Sequence, residues 1–281
     1  MDVVQSLEVF RSLRCSWPDQ GPEVCLVPTM GALHAGHLSL VEMARKRSDR
    51  VVVSIFVNPT QFGPEEDYQS YPRSLEHDLK ALDRLGVETV LVPEVVEMYP
   101  DGHRTQVRVE GLDQKLCGLS RPTHFQGMAT VVLKLFHLVR PRFAFFGQKD
   151  AQQSILIRRM VSDLDLNIEV VVCPTVREKD GLAVSSRNQY LSGEERKAAP
   201  VLFQALEWAK WEVARGERQV EVLLTGVNRC LAAEARVKVD YATIVNPVDL
   251  EPVVRLQQKS LLALAVFIGT TRLIDNIYLT P

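Results

Sequence analysis

Apolar runs of strand length alternate with amphipathic stretches through the first part of the chain. Val24 to Met30 (VCLVPTM) is the first clear run, and HLSLVEMARKRS behind it carries Leu38, Leu40, Val41 and Ala44 at helical spacing. Arg50 to Val57 (RVVVSIFV) is rich in β-branched residues and does not alternate, which predicts a strand buried on both faces. After a polar segment with Asn58, Pro59, Gly63 and Pro64, SLEHDLKALDRLG predicts a helix, with Ser74 as N-cap and Gly86 as its stop. VETVLVP, Val87 to Pro93, is the next strand. GMATVVLKLFHLVR with RFAFFG, then DAQQSILIRRMVSDL with NIEVVVCP, repeat helix and strand.

Such β-α-β alternation predicts a parallel sheet with helices on both faces, where ligands gather at the carboxyl ends of the strands. The expected fold class is α/β. A Rossmann-like, doubly wound domain over residues 1–176 is followed by a smaller C-terminal α+β domain over 177–281 that closes over the active site. The boundary is expected between Val176 and Ser192, where the grammar changes. Ser192 opens a capping box with Glu195, helical stretches are expected at roughly 193–215 and 219–235, and VDYATIV, LLALAVFIG and RLIDNIYL read as strands. There is no internal repeat and no low-complexity segment.

Composition narrows the classes of function. Charged residues make up 24% and the formal net charge is -2, so the basic excess of a general nucleic-acid binder is missing. A compact anion site stays open, because local residues set the local potential. The opening MDVVQSLEVFRSLRC has no basic segment before an apolar run, and the longest apolar stretch, Leu261 to Gly269, is strand-sized. Neither a signal peptide nor a membrane span is expected. The five cysteines (Cys15, Cys25, Cys117, Cys173, Cys230) are dispersed without a C-x-x-C pair, which argues for a reduced, cytoplasmic protein. Cys25 and Cys173 lie in apolar runs and are expected to be buried thiols.

Four clusters carry candidate chemistry. VPTMGALHAGH (Val27 to His37) starts at a strand end, passes Gly31 and enters a helix near His37, where backbone N–H groups and the helix dipole favour an anion. Gly36 lets a nucleotide approach the backbone, and His34 and His37, three apart, share one side of the turn. Helix capping, a surface location or a metal site are the alternatives for an H-x-x-H pair. FVNPTQFG (Phe56 to Gly63) offers Asn58 and Gln61, neutral groups suited to a small polar substrate, or simply an Asn-Pro turn. FGQKDAQQ (Phe146 to Gln153) offers Lys149 for phosphate and Asp150 for ribose, or a surface cap. VREKDGLAVSSRN (Val176 to Asn188) sets two hydroxyls beside an arginine, a phosphate clamp or an unremarkable polar loop.

No G-x-x-x-x-G-K-[ST] loop, G-x-G-x-x-G fingerprint, G-x-S-x-G elbow or H-E-x-x-H occurs. No convincing base stands beside a Ser or Cys nucleophile. A reaction whose nucleophile is already a carboxylate needs none; it needs positioning and charge neutralisation.

Taken together, PTMGALHAGH, FVNPTQF, YPR (Tyr71 to Arg73), SRPTHFQGM, FGQKDAQQ, DGLAVSSRNQYL and RLIDN resemble the pantothenate synthetases, the pantoate–β-alanine ligase family. The match runs in order from about residue 24 to 276. The H-x-G-H turn by itself is shared with the wider nucleotidyltransferase superfamily. The resemblance implies two steps in pantothenate biosynthesis. Pantoate carboxylate attacks the α-phosphorus of ATP, giving pantoyl adenylate and pyrophosphate, and the β-alanine amine then displaces AMP. It implies ATP as a substrate with Mg²⁺, no permanently bound cofactor, and a homodimer without nucleic-acid or membrane partners.

By the same resemblance Met30, Gly31, Ala32, Leu33, His34, Ala35, Gly36 and His37 would hold ATP, with His34 and His37 on phosphate and His37 as proton donor. Gly147, Gln148, Lys149 and Asp150 would meet ribose and phosphate. Val176 would line the adenine pocket, and Val184, Ser185, Ser186 and Arg187 would close over the triphosphate. His34, His37, Lys149 and Arg187 are the catalytic candidates. Gln61 and Gln153 would bind pantoate, and Gln61 also β-alanine. The metal ligands stay open; Asp78 lies in a plausible region without being singled out. Gln148 and Val184 stand where the family commonly has Glu and Met, which implies tuned affinity. Cys117 and Thr123 stand where an acidic residue and Gly are common, and the neighbouring Arg121 and His124 are not among the site candidates. The rivals are another H-x-G-H nucleotidyltransferase and a non-catalytic nucleotide-binding regulator.

Overall fold

The apolar runs become strands because nothing on either face of them is polar enough to need water. In the computed structural model, which describes residues 1–18, 21–64 and 66–281, the chain divides into two units. One comprises residues 1–147 and 152–174; the other comprises 148–151 and 175–281.

The first unit runs β1 (Asp2–Val4), α1 (Leu7–Ser16), β2 (Cys25–Thr29), α2 (Ala35–Arg47), β3 (Val51–Ile55), α3 (Leu75–Arg84), β4 (Thr89–Leu91), α4 (Val95–Met98), α5 (Cys117–Ser120), α6 (His124–Val139), β5 (Phe143–Gly147), α7 (Ala151–Asp163) and β6 (Glu169–Cys173). The strands form one six-stranded sheet in the order β1-β4-β3-β2-β5-β6, every pair parallel. From β2 the chain winds outward through β3 and β4, then returns to the other side of β2 for β5 and β6. The switch point therefore lies between the carboxyl ends of β2 and β5, where a doubly wound sheet opens its crevice. All five residues of β3 are buried, as its unbroken β-branched run predicts. Val41 and Ala44 of α2 pack with Val27, Val53 and Phe145 in the core on one face of the sheet.

Cys25 and Cys173 are buried thiols, and burial pushes Cys25 up to about 11. Ser74 stands at the N-cap of α3 but makes no cap bond; its hydroxyl donates to Asp78 Oδ1 at 3.3 Å. β1 and α1 lie where no element was expected, because a three-residue strand is too short to show a period.

The second unit holds α8 (Gly193–Ala198), α9 (Val201–Ala214), α10 (Val220–Ala232), β7 (Val237–Val245), β8 (Ser260–Ile268) and β9 (Thr271–Leu279). The capping box is present, with Ser192 Oγ accepting from Glu195 N and Glu195 Oε2 accepting from Ser192 N. The expected helix over 193–215 is two helices. Pro200, with no N–H to donate backward, stands at the N-cap of α9 and breaks the run. The antiparallel sheet β7-β8-β9 packs its buried face, including Leu262, Leu264 and Val266, against Leu202, Leu206 and Leu223. Residues 148–151, expected with the first domain, cluster with this unit, where the Asn276 amide holds the carbonyls of Gln148 and Lys149. No helix among the described residues is long and apolar enough to cross a membrane.

Candidate active site

In the first unit the site is built at the end of β2. Gly31 (φ 83°) and Ala32 (φ 49°) both take left-handed backbone, which lets the chain reverse between β2 and α2. For Ala32 that conformation costs on the order of 1 kcal/mol. The turn is held by Asp78 on α3. Its Oδ2 accepts from Ala32 N and its Oδ1 from Leu33 N, both at 2.8 Å, and the carboxylate is buried. The N–H groups of Ala32 and Leu33 are therefore committed to Asp78 rather than turned toward an anion. What α2 offers an anion is its own first turn, which has no side-chain cap and no acidic residue.

The helix begins at Ala35, with His34 as N-cap, so both histidines lie within that turn. Their rings stack with centroids 4.0 Å apart and planes 20° from parallel. A Cβ on Gly36 would lie 3.0 Å from the His34 ring, so the glycine also gives the imidazole room.

Gln61 ends a 3-10 turn, Pro59–Gln61, behind β3. Asn58 Nδ2 donates to Gln61 Oε1 at 3.0 Å and to Gly127 O at 3.1 Å, while Asn58 Oδ1 accepts from Tyr99 Oη at 2.8 Å. The carbonyl end of the Gln61 amide is thereby occupied, and its Nε2 lies 3.0 Å from Met30 Sδ. Gly127 on α6 is a tight-packing glycine; a Cβ there would overlap the Thr60 carbonyl and the Gln61 nitrogen. From α5 and α6, Arg121 donates to Glu66 Oε1 at 2.7 Å and His124 Nδ1 lies 2.8 Å from Gln61 O. Burial opposes ionisation of Glu66, but the Arg121 guanidinium, the Gly63 backbone and His124 together outweigh it and hold the carboxyl below its ordinary value.

The two adjacent glutamines of α7 divide their roles. Gln152 is buried, accepting from Cys117 N at 3.0 Å and donating to Leu112 O and Lys115 O. Gln153 is half-buried and makes no hydrogen bond to Gln61 among the described residues.

In the second unit Gln148–Asp150 form a 3-10 turn, with Lys149 half-buried and Asp150 exposed. Val184 N donates to Val176 O at 3.0 Å, so these two expected nucleotide neighbours face each other across a small antiparallel loop. Ser185 caps the next turn, Ser186–Tyr190, by accepting from Arg187 N at 3.3 Å. The departures at Gln148 and Val184 fall where the backbone rather than the side chain is engaged. No group of three or more His, Cys, Asp or Glu among the described residues could hold a metal ion. Asp78 already spends both oxygens on backbone amides.

A doubly wound sheet whose switch point carries an uncapped helix start and two stacked imidazoles defines an α/β domain suited to a phosphorylated ligand. The family described as Pantoate-beta-alanine ligase matches residues 2–278, and the chain belongs to that family. It is 54% identical over 276 residues to the pantothenate synthetase of Pelotomaculum thermopropionicum, with 98% of each chain covered. It is 50% identical over 277 residues to that of Caldicellulosiruptor saccharolyticus, with 99% of each covered. A pantothenate synthetase structure from Thermus thermophilus superposes with a TM-score of 0.95 at 46% identity, over 100% of both chains. The Francisella tularensis pantoate–β-alanine ligase, solved in complex with βγ-ATP and β-alanine, gives a TM-score of 0.80 at 36% identity, over 99% of this chain and 97% of the other.

Asp78, Asn58, Gly127 and Asn276 hold the candidate segments through contacts that the motifs do not reveal. Asp78 had one usable signal, an acidic residue in a helix with an otherwise amphipathic face.

Proposed function

We infer that this chain condenses pantoate with β-alanine at the expense of ATP, through a pantoyl-adenylate intermediate, releasing pyrophosphate and AMP. The observation that carries the reading is the β2–α2 turn of a family member, with its uncapped helix start and paired imidazoles. The nucleophile of the first step is a carboxylate, so no side chain has to remove a proton. The work is to bring the carboxylate to the α-phosphorus and to neutralise charge on the leaving pyrophosphate.

Met30 to His37 bind the nucleotide. His34 and His37 meet phosphate oxygens, and His37 donates a proton as charge develops. Gly147 to Asp150 meet ribose and phosphate, with Lys149 supplying a point charge; Val176 and Val184 flank the base, and Ser185, Ser186 and Arg187 clamp the triphosphate. Gln61 and Gln153 hold pantoate. The Gln61 carbonyl is occupied by Asn58, so its amide presents N–H to a carboxylate. Gln61 then faces the incoming β-alanine. Mg²⁺ enters with ATP as part of the substrate, on phosphate oxygens. The resemblance carries with it a cytoplasmic homodimer.

The test measures AMP and pyrophosphate release from MgATP, with pantoate and β-alanine together and each omitted in turn. AMP release that requires both, with pantothenate formed, is the expected result. ATP binding without turnover would turn the reading toward a regulator, and a product retaining the nucleotide toward another nucleotidyltransferase.

A further inference from the structure

The last motif of the chain, RLIDN (Arg272 to Asn276), has no part in the roles given above, yet it contains two consecutive buried polar residues. Asp275 and Asn276 lie on β9, which pairs along its whole length with β8. Alternation would send one of the two toward solvent; instead Asp275 is 2% exposed and Asn276 4%. Burying an amide and a carboxylate side by side is unfavourable unless their polar atoms are used. Asn276 uses its Nδ2, while its Oδ1 is buried without a hydrogen-bond partner among the described residues.

Both residues are used on the segments that carry the ATP candidates. Asn276 Nδ2 donates to Gln148 O at 3.0 Å and to Lys149 O at 2.9 Å, so both amide hydrogens fix the backbone of the 148–150 turn. Asp275 receives the forked guanidinium of Arg177, Nη1 to Oδ2 at 2.6 Å and Nη2 to Oδ1 at 3.0 Å. Arg177 Nη1 also donates to Gly181 O at 3.0 Å, and the guanidinium lies over the Phe203 ring, 4.5 Å from its centroid. Gly181 is left-handed (φ 93°) and a Cβ there would overlap Phe203, so the loop packs its backbone against that ring. Arg177 pairs with Ala183 across that loop, immediately before Val184 to Arg187. Asn276 N donates to Asp275 Oδ1 at 2.8 Å and joins the two anchors.

We propose that Asp275 and Asn276 are positioning residues for adenylate formation, setting the backbone of Lys149 and, through Arg177, the loop bearing Ser185 to Arg187. The inference rests on the proposed function of those segments. It assigns no contact with substrate to either residue. Asn suits position 276 because only an amide gives two donors to two carbonyls from a side chain this short. Asp suits 275 because a carboxylate takes both arms of the guanidinium fork.

The experiment measures pantoate-dependent ATP–pyrophosphate exchange in wild type, Asn276→Ala, Lys149→Ala and the double variant, with thermal melting of each. Asn276→Ala is expected to lower the exchange kcat ~10-fold, and to lower it less than ~3-fold when Lys149 is already alanine. Asn276→Asp, which turns acceptors toward two carbonyl oxygens, is expected to lose at least as much as alanine. Arg272→Ala, on the same strand but paired with Asp240, is expected to leave exchange unchanged. If Asn276→Ala does not fold, Asn276→Ser, which keeps one donor, enters the same cycle. Equal factors in both Lys149 backgrounds would overturn the proposal, as would a loss explained by melting alone or an equal loss in Arg272→Ala. A wild type without pantoate-dependent exchange would instead overturn the functional reading itself, and this inference with it.

Discussion

The two units hold their candidate residues by different means. In the first, the turn at Ala32 and Leu33 and the Gln61 amide are fixed by buried polar side chains that spend their hydrogen bonds on neighbouring groups: Asp78 on Ala32 N and Leu33 N, Asn58 on Gln61 and Gly127. In the second, buried Asp275 and Asn276 hold Arg177 and the carbonyls of Gln148 and Lys149, while the rest of the 177–188 loop is tied by partly exposed ion pairs. Arg196 reaches Glu178 and Asp180 at 2.6 Å each, with side-chain exposures between 30% and 41%. A hydrogen bond to a buried charge contributes roughly 1.5–3 kcal/mol, whereas an exposed ion pair contributes about 0.2–1. The supports named in the first unit are thus more enclosed than the Arg196 pairs of the second, which are the ties that open at lower cost.

The largest expected effects lie on the candidate groups rather than on their supports. His37→Ala and Lys149→Ala, one in each unit, should each lower adenylate formation by roughly 10²–10³ while leaving folding intact. Pre-steady-state pyrophosphate release measures this, and near wild-type rates in both would break the assignment of phosphate contacts to either half. A smaller pair of variants tests the supports. Asp78→Asn places an NH₂ against one of two backbone donors and should destabilise by about 1–3 kcal/mol, with a comparable loss in affinity for ATP. Arg196→Ala should cost less than ~1 kcal/mol. Urea melts and ATP titrations of the two proteins read the contrast directly; equal costs would mean that the halves are held alike.

Much of the architecture was legible because its central strands β3 and β5 are buried on both faces. RVVVSIFV and RFAFFG could hardly be anything else, and the switch from alternating β-α units to helices followed by strands marked the second unit. The turn at His34 and His37 was legible for the same reason, since a Gly-containing turn between a buried strand and a helix has few uses. What remained hidden are contacts made across long stretches of sequence. Asp78 lies 46 positions from Ala32 and Asn276 lies 127 from Lys149, and no local pattern encodes such a partner. The closeness of Gly36 to the His34 ring was likewise not legible, because a missing Cβ does not say which neighbours share the room. The helix over 193–215 was drawn through Pro200, although proline in that position was a sufficient reason to break it.

Acid gives the smallest and most discriminating effect. Glu66 in the first unit and Asp180 in the second are both held below the ordinary carboxylate range. For Glu66, burial works against the shift, and Arg121 with the Gly63 backbone and His124 overcomes it; for Asp180, the hydrogen bond from Arg196 leads. A carboxyl with a depressed folded pKa contributes stability that is present in full above its ordinary value, about 4. That contribution is lost as the pH falls through the lower, folded value. Melting temperatures of wild type and Glu66→Gln should therefore differ at neutral pH and converge on the acid side of about 4, with the same form for Asp180→Asn. Salt separates the two. At about 1 M the screening length falls to ~3 Å, which should remove most of the Asp180 difference because that pair is exposed. The Glu66–Arg121 pair is more enclosed, at 25% and 16% exposure, and should keep most of its difference. Arg121 also reaches toward Gln61 O at 3.5 Å beside His124, so protonating Glu66 should raise the KM for pantoate in the same pH window. A Glu66 effect that vanishes in salt as readily as that of Asp180 would erase the distinction between the enclosed Glu66–Arg121 pair and the exposed pair of Asp180.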